Sequence, residues 1–177
     1  MIAHRAAVVS VWLLVAACAA AQDPAAPPPH IRSESAGVRD LIRITAAQSP
    51  TVRALIDRLD RSDVIVYVRA RLLPSTLLDG RIGLLSATGA ARYLVIEIAC
   101  PRSALVQSVT LAHELHHALE IASAPGVVDA ATLARYYAAI GTRDGAPGRL
   151  TFETAGARAV GERVRRELSG RLLTSDF

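Results

Sequence analysis

Two histidines and a glutamate within residues 110–120 have side chains and spacing suited to metal chemistry. His113 and His117 are four residues apart, so on a helix both imidazoles leave from one face. Two neutral imidazoles at this spacing can bind one Zn²⁺. Glu114 then lies beside the open coordination position, where it can accept a proton from a water and pass it on. The three residues together predict a hydrolytic metal site.

The motif lies in a run that favours a helix, residues 103–122. Pro101 and Ser103 are helix start signals, and Pro125 followed by Gly126 is a stop signal. The alternative interpretation is a helix that carries two histidines and a glutamate on its solvent-exposed face without any metal. The position of the motif inside a bounded helix favours the metal site.

The residues that flank the motif extend the pattern. Thr110 stands three residues before the first histidine, and Leu111, Leu115 and Ala118 are uncharged, whereas Glu120 is charged where an uncharged residue is usual. This stretch resembles the active-site helix of the zincin metallopeptidases. The resemblance implies a zinc-dependent peptidase that uses the motif glutamate as its general base.

A catalytic zinc site has three protein ligands and a water, so one ligand must come from outside the motif. Glu120 is about 10 Å from His113 along the same helix, which is too far to converge with both histidines. Glu153 falls on the apolar stripe of the predicted last helix, where a carboxylate needs a partner because an unpaired buried charge is costly. Asp129 and Asp144 are loop acids with weaker claims.

The position of Glu153 resembles that of the glutamate ligand in the gluzincins, particularly in their minimal single-domain members. Glu120 and Ser123 occupy the places of the glycine and third histidine of the metzincin pattern. The resemblance implies that Glu153 is the third ligand. Larger gluzincins have an aspartate four residues after that ligand, where this chain has Ala157. The alternative is that Glu153 is simply an acid favoured near a helix N-terminus by the helix dipole.

Five other side chains could also take part in metal binding or catalysis. His116 can compete as a ligand or line the cleft, but a structural role is favoured because the four-residue pair is the recurring zinc geometry. Tyr93, Tyr136 and Tyr137 can donate to an oxyanion, although packing is the favoured interpretation. Cys100 is predicted to be a buried, inert thiol, because free cysteines are usually buried.

Residues 1–21 have the pattern of a targeting segment, in which a short basic region precedes an apolar core at residues 6–17. Residues 19–21 resemble a signal-peptidase site. Residues 15–18 instead resemble a bacterial lipobox, in which Cys18 is lipidated and attaches the chain to a membrane; this interpretation is favoured. Both endings predict an exported protein of the periplasm or cell envelope.

Residues 22–36 contain four prolines and predict an extended tether. Residues 37–177 are then expected to form one folded domain. All 20 basic residues are arginine and the net charge is only +4. No basic block with interleaved aromatic residues occurs, so nucleic acid is not a predicted partner.

The predicted fold class is α+β, with a small, mainly antiparallel sheet packed on helices and the metal held between two of them. The strands precede the motif helix, which is also the order of elements in the zincin fold. In that fold an edge strand pairs with an extended substrate. Apolar periodicity and breakers predict helices at residues 38–48, 51–59, 103–122, 130–140 and 152–168 and strands at 64–72, 82–86 and 93–99.

The leading hypothesis is an exported zinc metallopeptidase that cleaves peptide or protein substrates. His113, His117 and Glu153 bind Zn²⁺, and Glu114 is the catalytic base. One alternative is a non-catalytic, zincin-like binding module of the cell envelope. The presence of Glu114 argues against that alternative, because zinc binding does not require it. Another alternative is a self-acting or latent protease that needs processing.

Overall fold

The computed structural model describes residues 28–74, 77–143 and 152–172. The predicted targeting segment, including Cys18, lies outside the described residues, as does Asp144. In the described part of the chain, no helix is long and apolar enough to cross a membrane. The elements of this part are β1 (Ile31–Ser33), α1 (Ala36–Gln48), α2 (Pro50–Leu59), β2 (Val64–Arg71), β3 (Gly80–Ala87), β4 (Arg92–Ala99), α3 (Ala104–Ala122), α4 (Ala130–Ile140), β5 (Thr142–Arg143), β6 (Phe152–Glu153) and α5 (Ala155–Leu172).

Capping side chains fix where the helices begin. The Ser103 hydroxyl accepts the Val106 N–H at the start of α3, which satisfies one of the free N–H groups of a helix end. Ser49 caps α2 in the same way, and Pro50 occupies the first helical position, where a missing N–H costs nothing. The predicted bounds of α1 to α4 are confirmed to within two residues, and α4 agrees at both ends.

The fold is α+β, as predicted, but the sheet of β1 to β4 is mixed rather than mainly antiparallel. Its strand order is β1-β2-β4-β3. β1 and β4 both run parallel to β2, and β3 at the edge runs antiparallel to β4. The helices α1 and α2 connect β1 to β2, and such a helical crossover joins parallel strands. The sheet differs from the prediction because β4 lies between β2 and β3 and runs parallel to β2, so that β2 and β3 do not pair although they are consecutive in the sequence.

The predicted tether ends earlier than residue 36. Ile31–Ser33 form a strand that pairs with β2, and Ile31 is buried in the core. His30, which precedes this strand, places its Nδ1 3.0 Å from the Val64 carbonyl oxygen. The Ser35 hydroxyl then caps α1. Residues 31–36 therefore belong to the folded domain and not to the predicted tether. The edge of β2 supplies hydrogen-bond partners that the local sequence does not reveal.

Alternating apolar residues of β2 and β4 form the floor of the core. Along β4, Leu94, Ile96 and Ile98 are fully buried, whereas the residues between them are only half-buried, as the sequence predicts. Leu111 and Leu115 of α3 are fully buried in the same apolar cluster. α3 thus lies across the sheet with one face in the core.

Cys100 follows the last core position of β4 and is exposed. The prediction of a buried thiol is therefore wrong. The inward alternation of the strand ends at its last residues, Ile98 and Ala99. The chain turns away there at Pro101, which is bonded to Cys100 through a cis peptide.

A buried arginine joins the C-terminal end of α3 to the sheet. The Arg92 side chain is 3% exposed and donates to the carbonyl oxygens of Ile121 and Ala124 at 2.7 Å and of Ala122 at 3.1 Å. It also donates to both carboxylate oxygens of Asp63, at 2.7 and 2.8 Å. The free carbonyls at a helix end need such donors, and a cation is favoured there by the helix dipole. The helix is thereby held just beyond the histidine motif.

This ion pair predicts a pH dependence of stability. The hydrogen bond from Arg92 lowers the pKa of Asp63. A carboxyl with a lowered folded pKa stabilises the fold above its unfolded pKa, about 3.9 for aspartate, and this stabilisation is lost as the pH falls through the folded pKa. We expect Asp63→Asn to be less stable than wild type at neutral pH and to lose less stability on acidification, as measured by urea unfolding across the acid range. Asp57→Asn, at an exposed position of α2, is the control. Parallel wild-type and Asp63→Asn profiles would contradict this account.

Candidate metal centre

Three side chains bring metal-binding atoms together. The ligand atoms of His113, His117 and Glu153 all lie within 4.8 Å of one another. Glu153 Oε2 lies 3.4 Å from His113 Nε2, and Glu153 Oε1 lies 3.9 Å from His117 Nε2. Two donors on one tetrahedral ion, each about 2.1 Å from it, are about 3.4 Å apart. The geometry and the donor types therefore fit a metal ion, and these three residues can hold one.

Helix α3 positions both histidines, as their spacing predicts. The rings of His113 and His117 lie edge to face with their centroids 4.8 Å apart. The side chain of His117 is only 5% exposed and that of His113 is 21% exposed. The pair therefore sits at the boundary between the core and the surface, with His113 the more accessible of the two.

Glu153 does not lie on the last helix, which corrects the sequence prediction. It is the last residue of β6, and α5 begins at Ala155. Thr154 causes this break, because its hydroxyl accepts the Ala157 N–H and its carbonyl accepts the Arg158 N–H, as a helix cap does. The Thr154 N–H also donates to Glu153 Oε1 at 2.8 Å. The acid is thus held immediately before a helix start, from where it reaches the histidines.

Small residues let α5 approach α3 closely. A β-carbon added to Gly156 would lie 2.5 Å from His116 Nε2, and one added to Gly161 would lie 3.8 Å from His113 Nδ1. Ala157 is fully buried. The predicted apolar stripe of this helix continues through Val164, which is also fully buried. The close packing brings the segment that carries Glu153 against the histidine face.

Glu114 is buried beside the three converging side chains, with 5% of the residue exposed. Its carboxylate packs against the start of β3, where a β-carbon on Gly80 would lie 2.9 Å from Oε1. Burial raises the pKa of Glu114 to about 7, with a further contribution from the Glu153 charge and an opposing one from His117. A carboxyl with this pKa can accept and release a proton near neutral pH.

The two imidazoles differ in their electrostatic environment. Burial, followed by the charge of His117, lowers the pKa of His113 to about 4, so its ring is neutral near pH 7. Burial also lowers the pKa of His117, but a hydrogen bond to Glu120 and the charge of nearby carboxylates raise it more, and its pKa lies above the ordinary value. The carboxylates around the rings favour a cation at their centre.

Glu120 belongs to this site, although the sequence analysis only excluded it as a ligand. Its Oε2 accepts a hydrogen bond of 2.7 Å from His117 Nδ1, on the other ring nitrogen from the one that faces Glu153. Its Oε1 accepts a hydrogen bond of 2.7 Å from the Thr154 hydroxyl. A spacing of three residues on a helix places His117 and Glu120 side by side, which is the signal that could have identified the pair.

The other candidates His116, Asp129 and Tyr93 lie outside the converging group in the described part of the chain. His116 does not join the converging group; its Nε2 lies 3.5 Å from Glu120 Oε1, and its buried Nδ1 has no hydrogen-bond partner there. Asp129 caps α4 through the Thr132 N–H. Tyr93 lies on the face of β4 opposite the core residues.

Two tyrosines of α4 hold the backbone of α3. The Tyr137 hydroxyl donates to the His117 carbonyl at 3.1 Å, and its ring packs edge-on against the His117 ring at 5.3 Å. The Tyr136 hydroxyl donates to the Glu120 carbonyl at 3.0 Å. Both hydroxyls are therefore engaged, which supports the packing interpretation over that of oxyanion donors.

Comparison of the chain with protein-family models, with curated proteins and with solved structures found no match.

The close contact between β3 and α3 at Gly80 yields a prediction for stability. A β-carbon on Gly80 would lie 2.4 Å from Thr110 Cγ2 as well as 2.9 Å from the Glu114 carboxylate. Because Thr110 is buried and branched, it has little room to move. We expect Gly80→Ala to lower the free energy of unfolding by about 1–3 kcal/mol, as overpacking does. Chemical denaturation measures this change.

Gly83→Ala on the same strand is the matched control. Its β-carbon would meet only Val95 Cγ1, at an ordinary contact distance of 3.7 Å. We expect this variant to unfold close to wild type. Equal stabilities of the two variants would show that β3 is not held against the motif helix at residue 80.

Proposed function

We propose that this protein is a zinc-dependent metallopeptidase. The observation that carries the proposal is the convergence of His113, His117 and Glu153 next to the buried carboxyl of Glu114. Three protein ligands would leave the fourth position of a zinc ion open for a water, which is the arrangement of a catalytic rather than a structural zinc site. The resemblance of residues 110–120 to the zincin helix supports the same activity.

The donor set supports zinc as the metal. Two imidazole nitrogens and one carboxylate are a set that catalytic zinc sites use. The ring of His113 is neutral near pH 7, and only a neutral imidazole can act as a ligand. His117 Nδ1 is held by a carboxylate, which leaves Nε2 as the nitrogen that faces Glu153. Hard ions such as Mg²⁺ and Ca²⁺ prefer all-oxygen sites, so the imidazoles argue against them.

The chain's own residues supply the proton transfers of peptide hydrolysis. When bound, Zn²⁺ polarises the scissile carbonyl and lowers the pKa of the attacking water. Glu114 accepts a proton from that water at its carboxylate and later delivers it to the leaving amine. Burial of Glu114 raises its pKa to about 7, so it can act in both directions at neutral pH. Because Glu114 is buried, its electrostatic interactions with neighbouring charges are stronger than they would be in water.

The edge strand β3 is the proposed binding edge for an extended peptide. In the described part of the sheet it pairs on one side only, with β4. Its first residue, Gly80, lies against Glu114. A substrate that pairs with the free edge by main-chain hydrogen bonds would pass next to the general base. An edge strand that pairs main chain to main chain with an extended substrate is also what the zincin resemblance implies.

We further propose that the enzyme acts outside the cytoplasm. The support is the targeting pattern of residues 1–21, with Cys18 as the candidate lipid attachment site in the periplasm or cell envelope.

The first test of the proposed activity is Glu114→Gln. The amide cannot accept a proton, so we expect hydrolysis of a quenched fluorescent peptide library to fall by a factor of about 100 or more while zinc stays bound. Glu162→Gln, at an exposed position of α5, is the control and keeps its activity. Wild-type protein that binds zinc but cleaves no peptide would favour the non-catalytic binding module.

The second test concerns the third ligand. Glu153→Ala removes one of the three donors. Loss of a residue that only contacts a ligand typically weakens metal binding by roughly 10- to 100-fold, and we expect zinc affinity to fall by more than that here. Elemental analysis of the wild type, of this variant and of Glu162→Ala measures the zinc content per chain. Unchanged zinc content in Glu153→Ala would assign the third ligand to a different acid.

A further inference from the structure

A chain of hydrogen bonds joins the motif helix to the segment that carries the third ligand. His117 Nδ1 donates to Glu120 Oε2, and the Thr154 hydroxyl donates to Glu120 Oε1, both at 2.7 Å. Thr154 follows Glu153 in the sequence, and its N–H donates to Glu153 Oε1. One carboxylate therefore contacts a histidine ligand with one oxygen and the neighbour of the carboxylate ligand with the other.

These contacts are shielded from solvent. Thr154 is 4% exposed, and the side chains of His117 and Glu120 are 5% and 15% exposed. A carboxylate in such a place requires hydrogen bonds to both oxygens, since an unsatisfied buried charge is costly. Charge-assisted hydrogen bonds in these surroundings are short and directional. The Glu120 carboxylate thus forms a bridge between His117 and Thr154. This bridge fixes the angle of the His117 ring more firmly than an exposed ion pair could.

We propose that Glu120 and Thr154 are positioning residues of the metal centre. Glu120 keeps the Nδ1 proton of His117 in place, so that Nε2 presents its lone pair toward Glu153. Through Thr154 the same carboxylate sets the distance between the two ligand-bearing segments. This inference rests on the proposed metal site and extends it, because Ala157 stands where the larger gluzincins have an acid.

A purely structural role is the competing explanation. The bridge also joins α3 to the start of α5, and Thr154 caps that helix through the Ala157 N–H. Loss of the bridge by a structural mechanism would lower the melting temperature of metal-free protein and leave zinc affinity nearly unchanged. A positioning role requires that zinc affinity falls more than the loss of stability explains.

The experiment measures zinc dissociation constants of full-length variants by competition with a chromophoric chelator. Glu120→Gln keeps the size of the side chain but is neutral and has only one acceptor oxygen, so it cannot accept hydrogen bonds from His117 and Thr154 with separate oxygens. Thr154→Val removes the hydroxyl at constant shape, and Thr154→Ser retains it as the matched control. We expect about 10- to 100-fold weaker zinc binding for Glu120→Gln and for Thr154→Val, with Thr154→Ser close to wild type.

A second measurement does not depend on zinc. The ¹⁵N chemical shifts of the His117 ring in metal-free protein at alkaline pH report which nitrogen carries the proton. We expect the Nδ1–H form in wild type and in Thr154→Ser, and a mixture of both forms in Glu120→Gln. If Glu120→Gln does not fold, the Thr154→Val and Thr154→Ser pair decides the matter.

The outcomes separate this inference from the proposed function. Wild-type protein that binds no zinc would overturn both. Wild-type protein that binds zinc, with unchanged affinity in Glu120→Gln and Thr154→Val, would overturn only the positioning role of the bridge. Weaker zinc binding in both variants, with an altered His117 ring in Glu120→Gln, would establish that role.

Discussion

The site depends on how closely α5 packs against α3. At Gly156 the backbone of one helix lies against a side chain of the other, because a β-carbon there would come within 2.5 Å of His116 Nε2. Glu153 is three residues away, so the same contact that seats the helix also places the acid near His113 and His117. A side chain at Gly156 would have to displace the His116 ring, so the absence of one favours the close packing that brings Glu153 near the two histidines of α3. Helices with larger residues at the crossing would stand farther apart than these donor distances allow.

Contacts with the rest of the fold hold α3 in position. The helix presents Leu111 and Leu115 to the sheet, and Arg92 holds its last carbonyls. The tyrosines of α4 donate to carbonyls of its last turns. These contacts are needed because the site is electrostatically costly: carboxylates and imidazoles share a space in which burial shifts their pKa values, most clearly that of Glu114. A bound cation would offset part of that cost, and the frame holds the groups in place until it binds.

Local patterns in the sequence predicted the local features of the structure. The positions of α1 to α4, the alternation along β4 and the shared face of His113 and His117 follow from periodicities of 3.6 and 2 residues together with local start and stop signals, and they are confirmed. The errors concern partners that are distant in the sequence. The strand at Ile31–Ser33 pairs with an edge of β2, and the sheet is mixed because β4 pairs parallel with β2 while β3 pairs antiparallel with β4. The last helix begins later than the sequence predicts, because Thr154 caps it and leaves Glu153 in β6.

The site shows the same division between local and distant information. The motif alone predicts two ligands and a base, but the contacts of Glu120 include a threonine 34 residues later. In the sequence, Glu120 departs from the pattern of the zincin helix, and Ala157 departs from the larger gluzincins, which have an aspartate at that place. In three dimensions the two are related, since the carboxylate that is absent from α5 is present on α3 and contacts a histidine ligand from there. A metal centre needs an acceptor behind its histidine but does not require that it come from a particular helix. Two departures from a motif can therefore preserve one physical arrangement.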